Sequence, residues 1–245
     1  MKKLVIALSL LANTTFGKSD SVSFKNNFTI QGNYSAGNFN IISTGIRTDS
    51  KLNNKKSNIE LSTIGKITGN KTNPDNSFSL KEKEFYINLS YSHYTKKPKL
   101  KFITFSENET SFLRKIWWRT TLGSGYSYKF YDKNNCLLEI SEALMTEKID
   151  YVSLPDFYSV RSSTRVKFIY NKTPFSISSI SLVQPLLFSD GNVSNLIIRS
   201  STSVDVAISK NVKFGIVDDY ILNTLKITNK SPFDNTLNFY IKVNI

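Results

Sequence analysis

Seven cationic side chains stand out by their spacing: Arg119, Lys129, Arg161, Arg165, Lys167, Arg199 and Lys213. Each sits in a segment where polar or charged residues alternate with apolar ones. In a β-strand, that spacing puts the cations on one face and the apolar set on the other. Fixed cations collected on the inner face of a closed sheet attract anions into a constricted path, so the chemistry implied is electrostatic selection rather than bond making. Glu60, Glu84, Glu139 and Asp205 fall on the same polar sets, which leaves a lumen crossed by salt bridges as the plainer reading.

Residues suited to bond-making chemistry are few. His93 is the only histidine and falls on the apolar face of its strand beside Tyr91 and Tyr94. A hydrolase of the serine or carboxylate type needs a base within reach of a nucleophile or water. Asp218 and Asp219 could supply carboxylates, but neighbouring strand residues point to opposite faces, and the register there falters as at a β-bulge. Cys136 is the only cysteine, which excludes an internal disulfide, and it reads as a small apolar strand residue. No metal-ligand spacing, phosphate-cradling loop or nucleophile elbow is present. Gly123 and Gly125 lack the following helix of a nucleotide site. They read as positions where luminal side chains from facing strands approach closely. The expectation is a protein without cofactor or metal that is not an enzyme.

The elements that must position the cations are strands. Residues 118–130 (WRTTLGSGYSYKF) show the pattern most plainly. Trp118, Leu122, Tyr126, Tyr128 and Phe130 share one face, and Arg119, Thr121, Gly123, Gly125, Ser127 and Lys129 the other. Tilted by roughly 40°, the stretch from Trp118 to Tyr128 climbs about 25 Å, the height of the apolar band on a transmembrane barrel. Trp117, Trp118, Tyr128, Phe130 and Tyr170 then read as interfacial aromatics at the band's edges. Residues 160–170 and 198–208 repeat the pattern. About twelve strands can be marked, the seventh poorly amphipathic. From residue 68 onward, connectors alternate long and short, beginning with a loop at 68–79, a short connection at 95–99, a charged loop at 107–115 and a turn at 132–135, as expected of outer loops and periplasmic turns. The turn at 35–38 and the lysine-rich connector at 49–57 break that alternation.

Composition narrows the class further. Of 245 residues, 40% are hydrophobic and 21% charged, too apolar for a disordered chain and too polar for a helical membrane protein. The net charge of +13 is scattered along the chain, not gathered in one run, which argues against a nucleic-acid partner. Lys2 and Lys3 followed by the apolar run 4–12 read as a secretory signal, with cleavage expected after Gly17. The expected organisation is a signal peptide at 1–17 and one barrel domain at 18–245. The expected fold is all-β, a single antiparallel transmembrane β-barrel of about 12 strands. A soluble secreted or periplasmic β-barrel or sandwich that binds a ligand is the alternative, because periodicity alone does not say which face is wet.

Residues 32–40 (GNYSAGNFN), 123–126 (GSGY), 203–214 (SVDVAISKNVKF) and 234–243 (DNTLNFYIKV) together resemble the YdiY-like salt-induced outer-membrane proteins, a domain family of unknown function. The resemblance spans most of the chain after the signal. It implies a barrel in the outer membrane of a Gram-negative bacterium and a stress-related envelope role, and it carries no catalytic residues. The partners expected are outer-membrane lipids, lipopolysaccharide and the barrel-insertion machinery, with the protein itself a monomer. Lys71, Arg114, Lys115, Lys226 and Lys230 lie in segments read as outer loops, placed to meet lipopolysaccharide phosphates.

Overall fold

The structure is a computed structural model and describes residues 22–35, 40–72, 77–97, 99–111, 115–152, 155–190, 195–224 and 233–244. The signal peptide and its cleavage point lie outside these residues, as do the turn at 36–38 and residues Arg114, Lys226 and Lys230. Twelve strands follow in order. They are β1 (Ser23–Ser35), β2 (Asn40–Asn53), β3 (Ser57–Thr72), β4 (Ser77–Tyr94), β5 (Leu100–Ser111) and β6 (Ile116–Lys133). The second half is β7 (Cys136–Tyr151), β8 (Phe157–Lys172), β9 (Phe175–Ser189), β10 (Leu196–Ala207), β11 (Val212–Asn223) and β12 (Phe233–Asn244). Each strand pairs antiparallel with its sequence neighbours, and β1 closes on β12, so the sheet is a barrel with no free edge.

With strands about 4.8 Å apart and tilted about 40°, twelve of them enclose a backbone cylinder about 24 Å across. That lies between small barrels filled by their own side chains and open porins. Val22 and Asn244 mark one end of the cylinder, here the terminal end. The 54–56, 95–99, 134–135, 173–174 and 208–211 connections share it, and the others join strands at the opposite, loop end.

Register fixes which side chains face out. On β6, Trp118, Leu122, Tyr126 and Tyr128 are exposed, whereas Arg119, Thr121 and Ser127 are buried. The cross-strand partners keep the same sense around the ring. Tyr126 lies between Phe102 and Glu142, Phe214 between Val206 and Ile241, and Ile30 between Ile46 and Ile241. The outside is thus mainly an apolar sheet face, and the polar sets converge inside.

Three sequence expectations need correction. The segment 49–57 is not a long connector, because β2 continues to Asn53 and β3 begins at Ser57. Asn54 closes the turn by accepting the amide protons of Lys56 and Ser57, each at 2.7 Å. Its charges looked like loop because Asp49 and Lys51 occupy successive inward positions in a polar interior. Likewise much of the expected 68–79 and 107–115 loops is strand, so Glu107 and Glu109 belong to the wall of β5. Finally, no bulge interrupts β11 at Asp218 and Asp219. The ladder runs through both, pairing Asp218 with Thr202 and Leu237, and Asp219 with Ser201 and Thr236.

The 132–135 turn is as expected. Asn134 and Asn135 adopt positive φ (52° and 61°), the backbone of a two-residue hairpin loop that asparagine tolerates better than most residues.

Candidate functional site: the barrel lumen

All seven candidate cations project from the inner face, but they meet different surroundings there. Toward the loop end, Arg119 and Arg161 are locked into a buried network. Arg119 pairs with Glu109 at 3.2 Å and with Glu147. Glu147 also accepts from Arg161 Nε at 3.0 Å and Ser159 Oγ at 2.9 Å. Arg161, 1% exposed, donates through Nη1 to Asn195 Oδ1 at 2.9 Å, and Asn195 donates to Asn223 Oδ1 at 2.9 Å. The cluster ties β5, β6, β7, β8 and β11 together. Met145, Ile149 and Ile197 are buried on the same inner side. Charges enclosed in this way hold the wall and are removed from any solute path.

Toward the terminal end the cations are more open. Glu139, 2% exposed, receives Lys101 Nζ at 2.8 Å and Arg165 Nη2 at 3.2 Å. Arg165 also donates to Ser141 Oγ at 3.2 Å. Lys167 lies two residues on, facing the same way, with no hydrogen bond or salt bridge among the described residues. On another part of the wall, Lys213 donates to Ser176 Oγ at 3.4 Å, and Ser176 donates to Asp205 at 3.1 Å. Tyr240 donates its hydroxyl to the same Asp205. Lys129 sits at the terminal rim, 2.8 Å from Asp132 and over the Tyr94 ring.

Some inward pairs act across the lumen between strands that are not neighbours in the sheet. Arg199 of β10 faces Tyr86 of β4, and Lys167 of β8 faces Glu60 of β3. The interior therefore holds side chains of both signs rather than a ring of cations. Sequence reasoning missed Lys101, Glu107, Glu109 and Glu147 as members of the site. Glu107 and Glu109 were read into a loop, and Glu147 sits on a strand whose alternation is mixed.

That strand is β7. Its inner face carries Ala143, Met145 and Ile149 among the carboxylates, while Glu142 points outward. Glu142 accepts from Ser162 and Thr164, each at 2.5 Å. This mixing of faces is why its amphipathicity was weak in the sequence.

Gly123 and Gly125 do allow close approach, but from neighbouring strands and not from across the barrel. The Phe105 ring lies over Gly123, 2.3 Å from where a Cβ would stand. At Gly125 the β7 backbone comes so near that a Cβ would be 2.0 Å from the Glu142 carbonyl oxygen. Gly215 is covered in the same manner by Tyr240.

The five aromatics chosen from the sequence divide between the two ends of the wall. Trp117 and Trp118 are exposed at the loop end of β6, and Trp118 donates to Thr120 Oγ1 at 2.9 Å. Tyr128 and Phe130 are exposed at its terminal end with ring centroids 5.0 Å apart, edge to face. Tyr170 faces outward beside Ile177. His93 also faces outward, between Ser57 and Phe102, and Asp218 is exposed on β11. The two stand on different walls. Among the described residues, no group of His, Cys, Asp and Glu is arranged to hold a metal ion.

No protein-family model and no curated protein matches the chain. Solved structures do. The chain superposes on an outer-membrane channel from Pseudomonas putida F1 with a TM-score of 0.57 and 7% identity, covering 94% of this chain and 99% of that one. It superposes on the NanC porin with a TM-score of 0.52 and 8% identity, covering 89% and 97%. The fold is that of the outer-membrane β-barrels, a closed antiparallel barrel of twelve strands. At such identities the likeness is one of fold, and no particular family is assigned by it.

Proposed function

We propose that the chain spans the bacterial outer membrane and passes small polar solutes, with a bias toward anions. One observation carries the reading. Inward side chains keep water-accessible surface, 45% for Arg47 and 41% for Lys51, while the outer face presents Leu122, Tyr126, Phe239 and Ile241 to the surroundings. A wet interior behind an apolar exterior suits a barrel in lipid and not a soluble barrel with an oily core. The anion bias follows from charge. Lysines and arginines outnumber carboxylates at the described inward positions, and fixed cations in a constriction raise the local anion concentration.

Localisation after export by a cleaved signal peptide, insertion by the barrel-assembly machinery and a monomeric state belong to the same proposal. So does the absence of enzymatic activity and of any cofactor: His93 faces outward, away from the lumen. Of the basic set placed to meet lipopolysaccharide phosphates, Lys71 lies near the loop end of strand β3 and not in a loop, and Lys115 is exposed at the loop end. The stress-related envelope role implied by the family resemblance is compatible with a restricted pore.

Heat-modifiable gel mobility of the membrane fraction tests the closed barrel, and planar-bilayer recording tests conduction. The expected result is small unitary currents with a reversal potential on the anion side. Cation preference or a silent bilayer would overturn the pore.

A further inference from the structure

We infer that the terminal end of the lumen contains a binding site for a small doubly charged oxyanion, formed by Lys101, Arg165 and Lys167 around Glu139. The inference deepens the channel reading and rests on it for its biological use, although the site itself is defined by geometry alone.

The charges at this level do not balance. Glu139 is shared between Lys101 at 2.8 Å and Arg165 at 3.2 Å. The other carboxylate facing Lys167, Glu60 on β3, is taken by Lys51. Lys167 feels both carboxylates and both cations, Arg165 and Lys101, and bonds to none of them. Four cations (Lys51, Lys101, Arg165 and Lys167) thus face two carboxylates in one layer of the lumen, leaving two positive charges uncompensated.

Donors are also left over. Arg165 Nη2 serves Glu139 and Ser141, but its Nε is buried without an acceptor. Arg165 Nη1, without an acceptor among the described residues, and the unbonded Lys167 ammonium offer donors to an oxygen-bearing anion, the geometry for which a guanidinium fork is suited. The layer is open to water from inside, since the Arg165 side chain is 32% exposed and Glu60 45%. Because Lys167 and Glu60 belong to strands apart in the sheet, the layer bridges the lumen, and a passing solute must cross it. Two missing charges and at least two free donors specify a phosphate-like or dicarboxylate-like dianion more closely than chloride.

Inorganic phosphate at pH 8 is the probe. In bilayers bathed in potassium chloride, added phosphate is expected to reduce the current at millimolar concentration. Lys167→Gln should weaken that block at least tenfold, and Glu139→Gln should strengthen it, a sign that a merely structural role would not produce. Lys210→Gln, on an exposed turn, should leave it unchanged. Equal block in the native protein and Lys167→Gln, or no block in the native protein, would overturn the site.

A second reading works without current. In detergent, phosphate should raise the unfolding temperature of the native barrel and not that of Lys167→Gln. A rise with a silent bilayer would keep the site and remove only the channel. An equal rise in both proteins, or none in the native one, would remove the site.

Discussion

The wall built by β6, β7 and β8 and the wall built by β1, β2 and β3 both place polar or charged residues at most inward positions, yet the two walls treat charge differently. On the first, Arg119, Arg161, Glu139 and Glu147 are buried, with Glu147 accepting from Ser159, Arg161 donating to Asn195 and Glu139 accepting from Arg165. On the second, Arg47 with Asp49 and Lys51 with Glu60 form pairs that water still reaches. The difference lies in what stands beside the charges. Met145 and Ile149 share the inner face of β7 with its carboxylates and are buried there, whereas the inner face of β2 has Ser43 and Gly45 next to its ions. A buried ion tolerates no loss of its partner, because the remaining charge has no water to turn to. An accessible ion loses little. The same alternation of residue types therefore gives a structural wall on one side of the lumen and a solvent-facing one on the other.

Four sets of substitutions test the difference between the walls. The largest effect is expected from Arg161→Met, which removes a donor from the buried Glu147 and from Asn195. Unfolding in urea from lipid vesicles should show a loss of about 3–5 kcal/mol. Arg47→Met on the open wall should stay within about 1 kcal/mol. Equal losses would erase the distinction between the walls.

Gly125→Ala comes next. Its Cβ would collide with β7 backbone, which cannot swing aside as a side chain can, so a loss of about 1–3 kcal/mol is expected in the same assay. Gly65→Ala on β3 meets nothing within 4 Å and should change stability by less than about 0.5 kcal/mol.

Glu142→Leu tests the outside of the packed wall. A carboxylate facing hydrocarbon is a cost, so its replacement should raise stability in vesicles by about 1 kcal/mol. A clear loss in that measurement would mean that this face of β7 and β8 does not look onto lipid. The smallest effect belongs to Lys51→Gln. Stability should be unchanged, and the anion-to-cation permeability ratio from reversal potentials should fall by less than about twofold. A large drop in stability would place Lys51 among the structural charges instead.

Much of this fold was legible in the chain because strand periodicity is local. Residues 118–130 and 160–170 show which side chains share a face without reference to anything else. The inward placement of Arg119, Arg161 and Lys213 follows from the same rule of two. Strand ends were less legible. Asp49, Lys51, Glu107 and Glu109 looked like loop because charge was expected to mark solvent outside the barrel, when it also marks the solvent within. β7 was obscured for a related reason: Met145 and Ile149 face in while Glu142 faces out.

The alternation by itself determined that strands form, that their two faces differ in polarity and that the cations gather on one of them. This holds because adjacent Cβ atoms on an extended backbone must point to opposite sides. Which carboxylate each cation meets was decided only when the sheet closed. Glu139 lies far along the chain from Lys101 and one strand from Arg165, and Lys167 faces Glu60 only across the lumen. Those distances depend on register and on the curvature of the closed wall, neither of which any short stretch of residues contains.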